Sequence, residues 1–207
     1  MSPQDFAAAF PTLYHAAWPQ ARDRIRRDGL MSPLALCEAM GLSQARTEEV
    51  MTTRRGVITD MGEGVVLNDN SPLQMGPLRR ALPEHLSPED WMRALNSRVF
   101  LFPDRRAVDR FTGALRARDL ARDVWEVDGL ELAEAHLDRL EVTPFNTGAT
   151  TRKPPERDLD TFAKVEGLDL AEWKMRRVSR GVKRTPDTVR EVCVFHSAPD
   201  VRPRLLT

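Results

Sequence analysis

The stretch Arg190-Glu191-Val192-Cys193-Val194 sets the architecture, together with Leu13-Tyr14-His15 and the Ile25, Gly29 and Leu30 that follow it. Val192, Val194 and Phe195 form a β-favouring run entered at Glu191 and left through Pro199-Asp200-Val201, which reads as the last strand. At the other end, Pro11 sets up an extended run from Thr12 to His15. Trp18, Ala21 and Ile25 then mark the apolar side of a charged segment, which predicts a one-sided helix stopped by Gly29.

Working outward, residues 3–10 read as a short helical lead-in. Ser32-Pro33 starts a helix over 34–40, and Ser43 starts another containing Glu48, Val50 and Met51. Ser87-Pro88-Glu89-Asp90 pairs a capping serine with first-turn acids and predicts a helix through Leu95. Helices are also expected over 105–115 and 130–136, and strands over 98–102, 124–127 and 140–143. The runs 56–59 and 64–67 read as a hairpin, with Asp60, Gly62 and Asn68 to Asn70 as turn residues. Residues 152–160 are charged, carry two prolines, and read as an exposed loop. No internal repeat interrupts this order, and one domain over 1–207 is expected, with a helical insert at about 33–55.

Composition bounds the function. The 207 residues balance 31 basic against 31 acidic side chains, so a global basic field for nucleic acid is excluded, though not a local patch. Arginine outnumbers lysine 27 to four, a bias of coding composition that also supplies bidentate anion partners. Cys37 and Cys193 lie in unrelated segments without ligand spacing, and the other histidines, His85, His136 and His196, share no metal pattern. No metal site and no disulfide are expected. With no apolar run of membrane-spanning length and no signal-like N-terminus, the expectation is a cytoplasmic protein without membrane contact.

The residues that carry chemistry are few. His15, Ile25 and Gly29-Leu30 resemble the opening of the ADP-ribosyltransferase fold, nearest to DarT-like toxins that modify DNA, and Glu191 heading an apolar strand before Pro199 and Val201 resembles its closing strand. The likeness covers residues 13–30, 98–102 and 191–201. The middle of the chain also resembles an uncharacterised bacterial domain family sharing an Asn-Thr/Ser-Gly-Ala-Thr segment, here residues 146–150.

The resemblance implies an α+β fold with a split, bent β-sheet and flanking helices. It implies NAD as substrate, His15 orienting it, and Glu191 catalytic in transferring ADP-ribose to a nucleic-acid or protein acceptor. A carboxylate there meets the same need as in glycoside hydrolysis, a cationic ribose in the transition state. Phe100 or Phe102 would wall the nicotinamide pocket unless both are core, and Arg98 would meet a phosphate. Arg26, Arg54 and Arg98 are all candidates for the NAD-gripping arginine. Asn146 and Thr147, flanked by Arg152 and Lys153, could offer polar groups to phosphate, although an ordinary turn suits the same residues. His15 and Glu191 are expected to share one cleft.

Two readings of other classes stand beside this one. Residues 33–55 resemble a helix-turn-helix offering Gln44, Arg46 and Thr47 to base edges, against which Glu48 and Glu49 would repel phosphate; the same residues also read as an insert covering the pocket. A catalytically inactive nucleotide- or protein-binding module on the same fold is the other.

Overall fold

The computed structural model describes every residue except Ile58, Glu63, Gly64, Asp69, Arg152 and Thr207. The chain runs α1 (Pro3–Ala9), β1 (Thr12–Ala17), a 3-10 turn (Pro19–Ala21), α2 (Arg22–Asp28), β2 (Leu30–Met31), α3 (Pro33–Ala39) and α4 (Gln44–Thr52). A hairpin of β3 (Thr59–Gly62) and β4 (Val65–Leu67) precedes α5 (Met75–Ala81), α6 (Pro88–Asn96), β5 (Arg98–Leu101) and α7 (Arg105–Arg116). Then come β6 (Asp123–Asp128), α8 (Gly129–His136), β7 (Leu140–Thr143), β8 (Ala163–Lys164), α9 (Leu170–Ser179), β9 (Glu191–Phe195), β10 (Ser197–Ala198) and β11 (Arg204–Leu206). The class is α+β.

The sequence signals act where they were read. Ser87 and Asp90 close a reciprocal capping box at the start of α6, as Ser2 and Asp5 do for α1. Such boxes satisfy donors that a helix N-terminus otherwise leaves unpaired. Gly29 ends α2 at φ 74°, and a Cβ there would fall against the Ala198 carbonyl, so both conformation and space require glycine.

Two sheets carry the core. One has the order β1-β6-β11 and the other β5-β9-β7-β8, with antiparallel pairing at each step. An isolated bridge joins them between Tyr14 and Phe102, whose backbones exchange hydrogen bonds of 3.0 and 2.7 Å. Beyond that bridge the sheets part. The short pair β2–β10 lies alongside, with Leu30 opposite Ala198.

Alternation along β9 explains why a strand with no polar face can be central. Val192 and Val194 enter the main core with Leu13, Val99, Leu101, Trp125, Leu140 and Val142. Cys193, on the opposite face, packs with Trp91, Met92, Leu73, Leu78 and Phe162 in a second cluster. All three β9 residues are fully buried, as expected of a strand covered on both sides. A third cluster of Cys37, Val50, Val65 and Leu67 joins α3 and α4 to the hairpin.

Some expectations are corrected. The first hairpin strand begins at Thr59, so Asp60 and Gly62 are strand residues rather than turn; the Ile58 and Gly64 parts of that expectation lie outside the described residues. The 152–160 segment is a loop but not wholly exposed, because Arg157 is 2% exposed and anchored by its backbone N–H to the Ala81 carbonyl. Helices α5 and α9 and strands β8, β10 and β11 were not anticipated. The shortest of these gain their pairing from neighbours distant in sequence, which local pattern does not encode.

Candidate functional site: a cation-rimmed cleft around Glu191

The face of the second sheet that carries Cys193 also carries Glu191, Arg98 and, on β7, Glu141 and Thr143, because residues two apart on a strand share a face. Thr143 lies directly opposite Glu191. Continuing the β5–β9 register by one step brings Phe102 to the other side of Glu191. The glutamate therefore stands at the end of the sheet, flanked by an aromatic and a hydroxyl.

After β7 the chain folds back over it. Thr147 donates to Glu191 Oε2 from both its backbone N–H (3.1 Å) and its hydroxyl (2.8 Å), and the Thr143 hydroxyl approaches the same oxygen at 3.1 Å. One oxygen is thus fixed by three donors, and the other, Oε1, is without a hydrogen bond among the described residues. Burial pushes the Glu191 carboxyl above the ordinary carboxylate range, opposed first by the Thr147 and Thr143 hydrogen bonds and then by the charge of Arg157.

Glu191 lines a cleft of about 460 Å³ with Phe102, Phe145, Asn146, Pro144, Pro155, Ala107 and the cations Arg110, Arg177, Lys183 and Arg190. Asp187 holds Lys183 at 2.8 Å and Arg177 at 3.3 Å. Arg110 and Arg190 have no side-chain ion pair among the described residues. The chemistry on offer is a single carboxylate in a recess with two aromatic walls and a positive rim, a setting suited to a ring-bearing anion.

The expected site residues divide between this cleft and elsewhere. Glu191, Phe102 and Asn146 line it. Thr147 is fully buried beneath it and serves Glu191 rather than a phosphate. Asn146 uses its side-chain oxygen on the Gly148 N–H at 3.0 Å, closing the turn. Arg98 is committed to Glu141, with Nη2 to Oε1 at 2.9 Å and Nη1 to the Ala94 carbonyl at 2.7 Å, and its guanidinium lies over the Phe162 ring. Phe100 packs against the second cluster. Of the other arginine candidates, Arg26 pairs with Asp23 and Arg54 binds the carbonyls of Leu73 and Ser71. None of the three is in the cleft.

His15 does not line the cleft either. It stands at the seam, next to Tyr14, whose backbone pairs with Phe102 on the cleft wall. Where the sheets part, the Phe100 carbonyl accepts from His15 Nδ1 at 2.9 Å. That bond places the proton on Nδ1, and burial lowers the imidazole's affinity for a second. His15 and Glu191 are therefore separated by β5 and do not share one cavity.

The cations that rim the cleft were missed in the sequence. They lie on α7, on α9 and in the segment leading to β9, and only Arg190, beside Glu191, had any local signal. Arg152, expected to flank the 146–150 turn, is outside the described residues; Lys153 is exposed. The 33–55 helices contribute nothing to the cleft lining. They pack instead on α6, where Asn96 donates to the Met51 carbonyl at 2.9 Å and Arg93 pairs with Glu48. On the would-be recognition helix α4, Arg46 is paired with Glu49.

Cys37 and Cys193 are free and buried. Among the described residues no helix is long and apolar enough to cross a membrane, and no group of three or more His, Cys, Asp or Glu side chains is arranged to hold a metal. No curated protein and no solved structure matches the chain significantly. A family model does match, over residues 11–205, and on that near-complete span the chain belongs to DUF7002, a family of unknown function.

Proposed function

We propose that the protein transfers ADP-ribose from NAD, taken as a substrate, to a nucleic-acid or protein acceptor, with Glu191 as the catalytic residue. The observation that carries the reading is the Glu191 carboxylate, tethered through Oε2 and open at Oε1 in a recess walled by Phe102 and Phe145 and rimmed by cations. In the reaction the ribose C1–nicotinamide bond breaks and its electron pair leaves with the pyridine nitrogen. The acceptor's lone pair forms the new bond to C1, and its proton passes to Oε1. Cationic ribose beside a carboxylate gains electrostatic stabilisation that the ground state lacks. The rim cations suit the diphosphate, and the aromatic walls suit the bases. His15, held at the seam by the Phe100 carbonyl and outside the cleft lining, has no part in this reading, which rests on Glu191 and the residues around it.

The test is nicotinamide release from NAD with DNA, RNA and protein acceptors. Glu191→Gln keeps the size and the Thr147 contacts to oxygen but removes the charge, so turnover falls by at least about 100-fold, the scale of losing one key electrostatic group, while NAD affinity changes little. Because the carboxylate must be ionised and burial raises its pKa, wild-type turnover climbs with pH through a range above that of an ordinary carboxylate. A wild type that binds no NAD by calorimetry, or that matches the variant with every acceptor, refutes the transferase and leaves the binding module.

A further inference from the structure

Arg157 is among the largest fully buried side chains, at 2% exposure, and lies in a loop that its composition marks as solvated. Its guanidinium sits between the rings of Phe145, 5.0 Å away, and Trp91, 5.6 Å away. Nη2 donates to the carbonyls of Ala149 (2.5 Å) and Asn146 (3.4 Å). Nε and Nη1 are buried with no partner among the described residues. A buried cation with unmet donors is costly unless a neighbour benefits from its charge and its grip.

That neighbour is one residue along the same turn. Asn146 and Ala149 bracket Thr147, whose N–H and hydroxyl hold Glu191 Oε2. The Trp91 indole N–H reaches the Thr147 carbonyl at 3.3 Å, and Thr150 is tied to Gln74 at 2.7 Å, so the turn is pinned from several sides. We propose that Arg157 is the positioning residue of the cleft: it clamps the 146–150 turn from beneath, so that Thr147 keeps both donors on Glu191, and supplies the buried positive charge that faces this carboxylate. Its function as a catalytic aid rests on the transferase reading, but the physical coupling does not.

The charges around Glu191 support this assignment. Arg110 on α7, Arg177 on α9, Lys183 and Arg190 face the same cleft but belong to its open rim, where solvent screens them. Arg157 is the cation whose charge opposes the upward push of burial on Glu191. Burial brings the Arg157 guanidinium down to about 10, and the Glu191 charge acts the other way on it, holding the proton on.

The experiment follows the Glu191 carboxyl by carbon-13 NMR as pH is varied, the resonance being identified by its loss in Glu191→Gln. In Arg157→Met the titration midpoint moves up by about one pH unit or more, the scale of removing one opposite charge. In Arg157→Lys, which keeps the charge but not the fork that reaches two carbonyls, it moves up by less. An unchanged midpoint in folded Arg157→Met overturns the proposal. Should Arg157→Met fail to fold, Arg157→Lys decides alone, and an unmoved midpoint there overturns it equally. NAD is absent throughout, so failure of the transferase reading shows in the nicotinamide assay and failure of the coupling shows here. If both hold, Arg157→Lys lowers kcat and shifts the acid limb of the rate profile upward, with KM for NAD changing little.

Discussion

Replacing Arg98 by methionine tests whether this arginine is structural or a ligand contact. Its side chain is 12% exposed and that of Glu141 is 9% exposed, and the two meet side-on through Nε and Nη2, each donating to one carboxylate oxygen. Methionine approximates the stem but leaves Glu141 as a buried charge without its partner, and frees the Ala94 carbonyl. Breaking a buried pair from one side costs about 3–5 kcal/mol. For a chain of this length each kcal/mol lowers Tm by roughly 2–4 °C, so the midpoint falls by about 6–20 °C.

The Arg98→Met/Glu141→Leu double variant removes both charges and regains most of that loss, since an apolar pair of similar volume often matches a buried ion pair. Thermal and urea unfolding of the wild type, both single variants and the double variant give the coupling energy directly. A cost below about 1 kcal/mol for Arg98→Met, the level of an exposed pair, refutes the reasoning. So does a double variant no more stable than the single. A folded double variant that loses NAD binding would return Arg98 to the ligand.

The remaining predictions concern packing and thiols. At Gly129 an added Cβ would fall on the Phe10 carbonyl oxygen, backbone that cannot swing aside; Gly129→Ala is expected to lose about 1–3 kcal/mol, read by urea unfolding, and a neutral effect would contradict the close approach of α8 to α1. Burial raises the thiol pKa of both Cys37 and Cys193, most strongly for Cys193. Native protein should therefore react slowly with a thiol reagent at pH 8, and denatured protein fast at both positions, as thiolate fraction and access govern the rate; rapid native labelling of Cys193 would contradict its place between β5 and β7.

Local pattern made many elements readable. Ser87 with Asp90, Ser32 with Pro33, and Gly29 are chemically explicit signals whose partners lie within four residues, and α6, α3 and the end of α2 stand where those residues put them. The apolar runs at 98–101, 140–143 and 191–195 likewise announced strands. For the site, Glu191 was singled out by the family resemblance of its strand, since an acid heading an apolar run reads equally well as an edge-strand glutamate paired with an arginine.

Only the tertiary structure decided what surrounds that acid. Strand order β5-β9-β7 places Thr143 and Phe102 on either side of Glu191 although they come from segments 48 and 89 positions earlier in the chain. The same order gives Arg98 to Glu141, leaves His15 at the seam, and brings α7 and α9 cations to a rim that no local spacing marks. Arg157 is the sharpest case. A charged, proline-rich segment reads as solvated because the sequence shows its charge but not the aromatic rings and carbonyl groups that receive it. Helix caps and strand runs are set by neighbours along the chain; ion-pair partners and clefts are set by register across it, where a long-range contact overrides local preference.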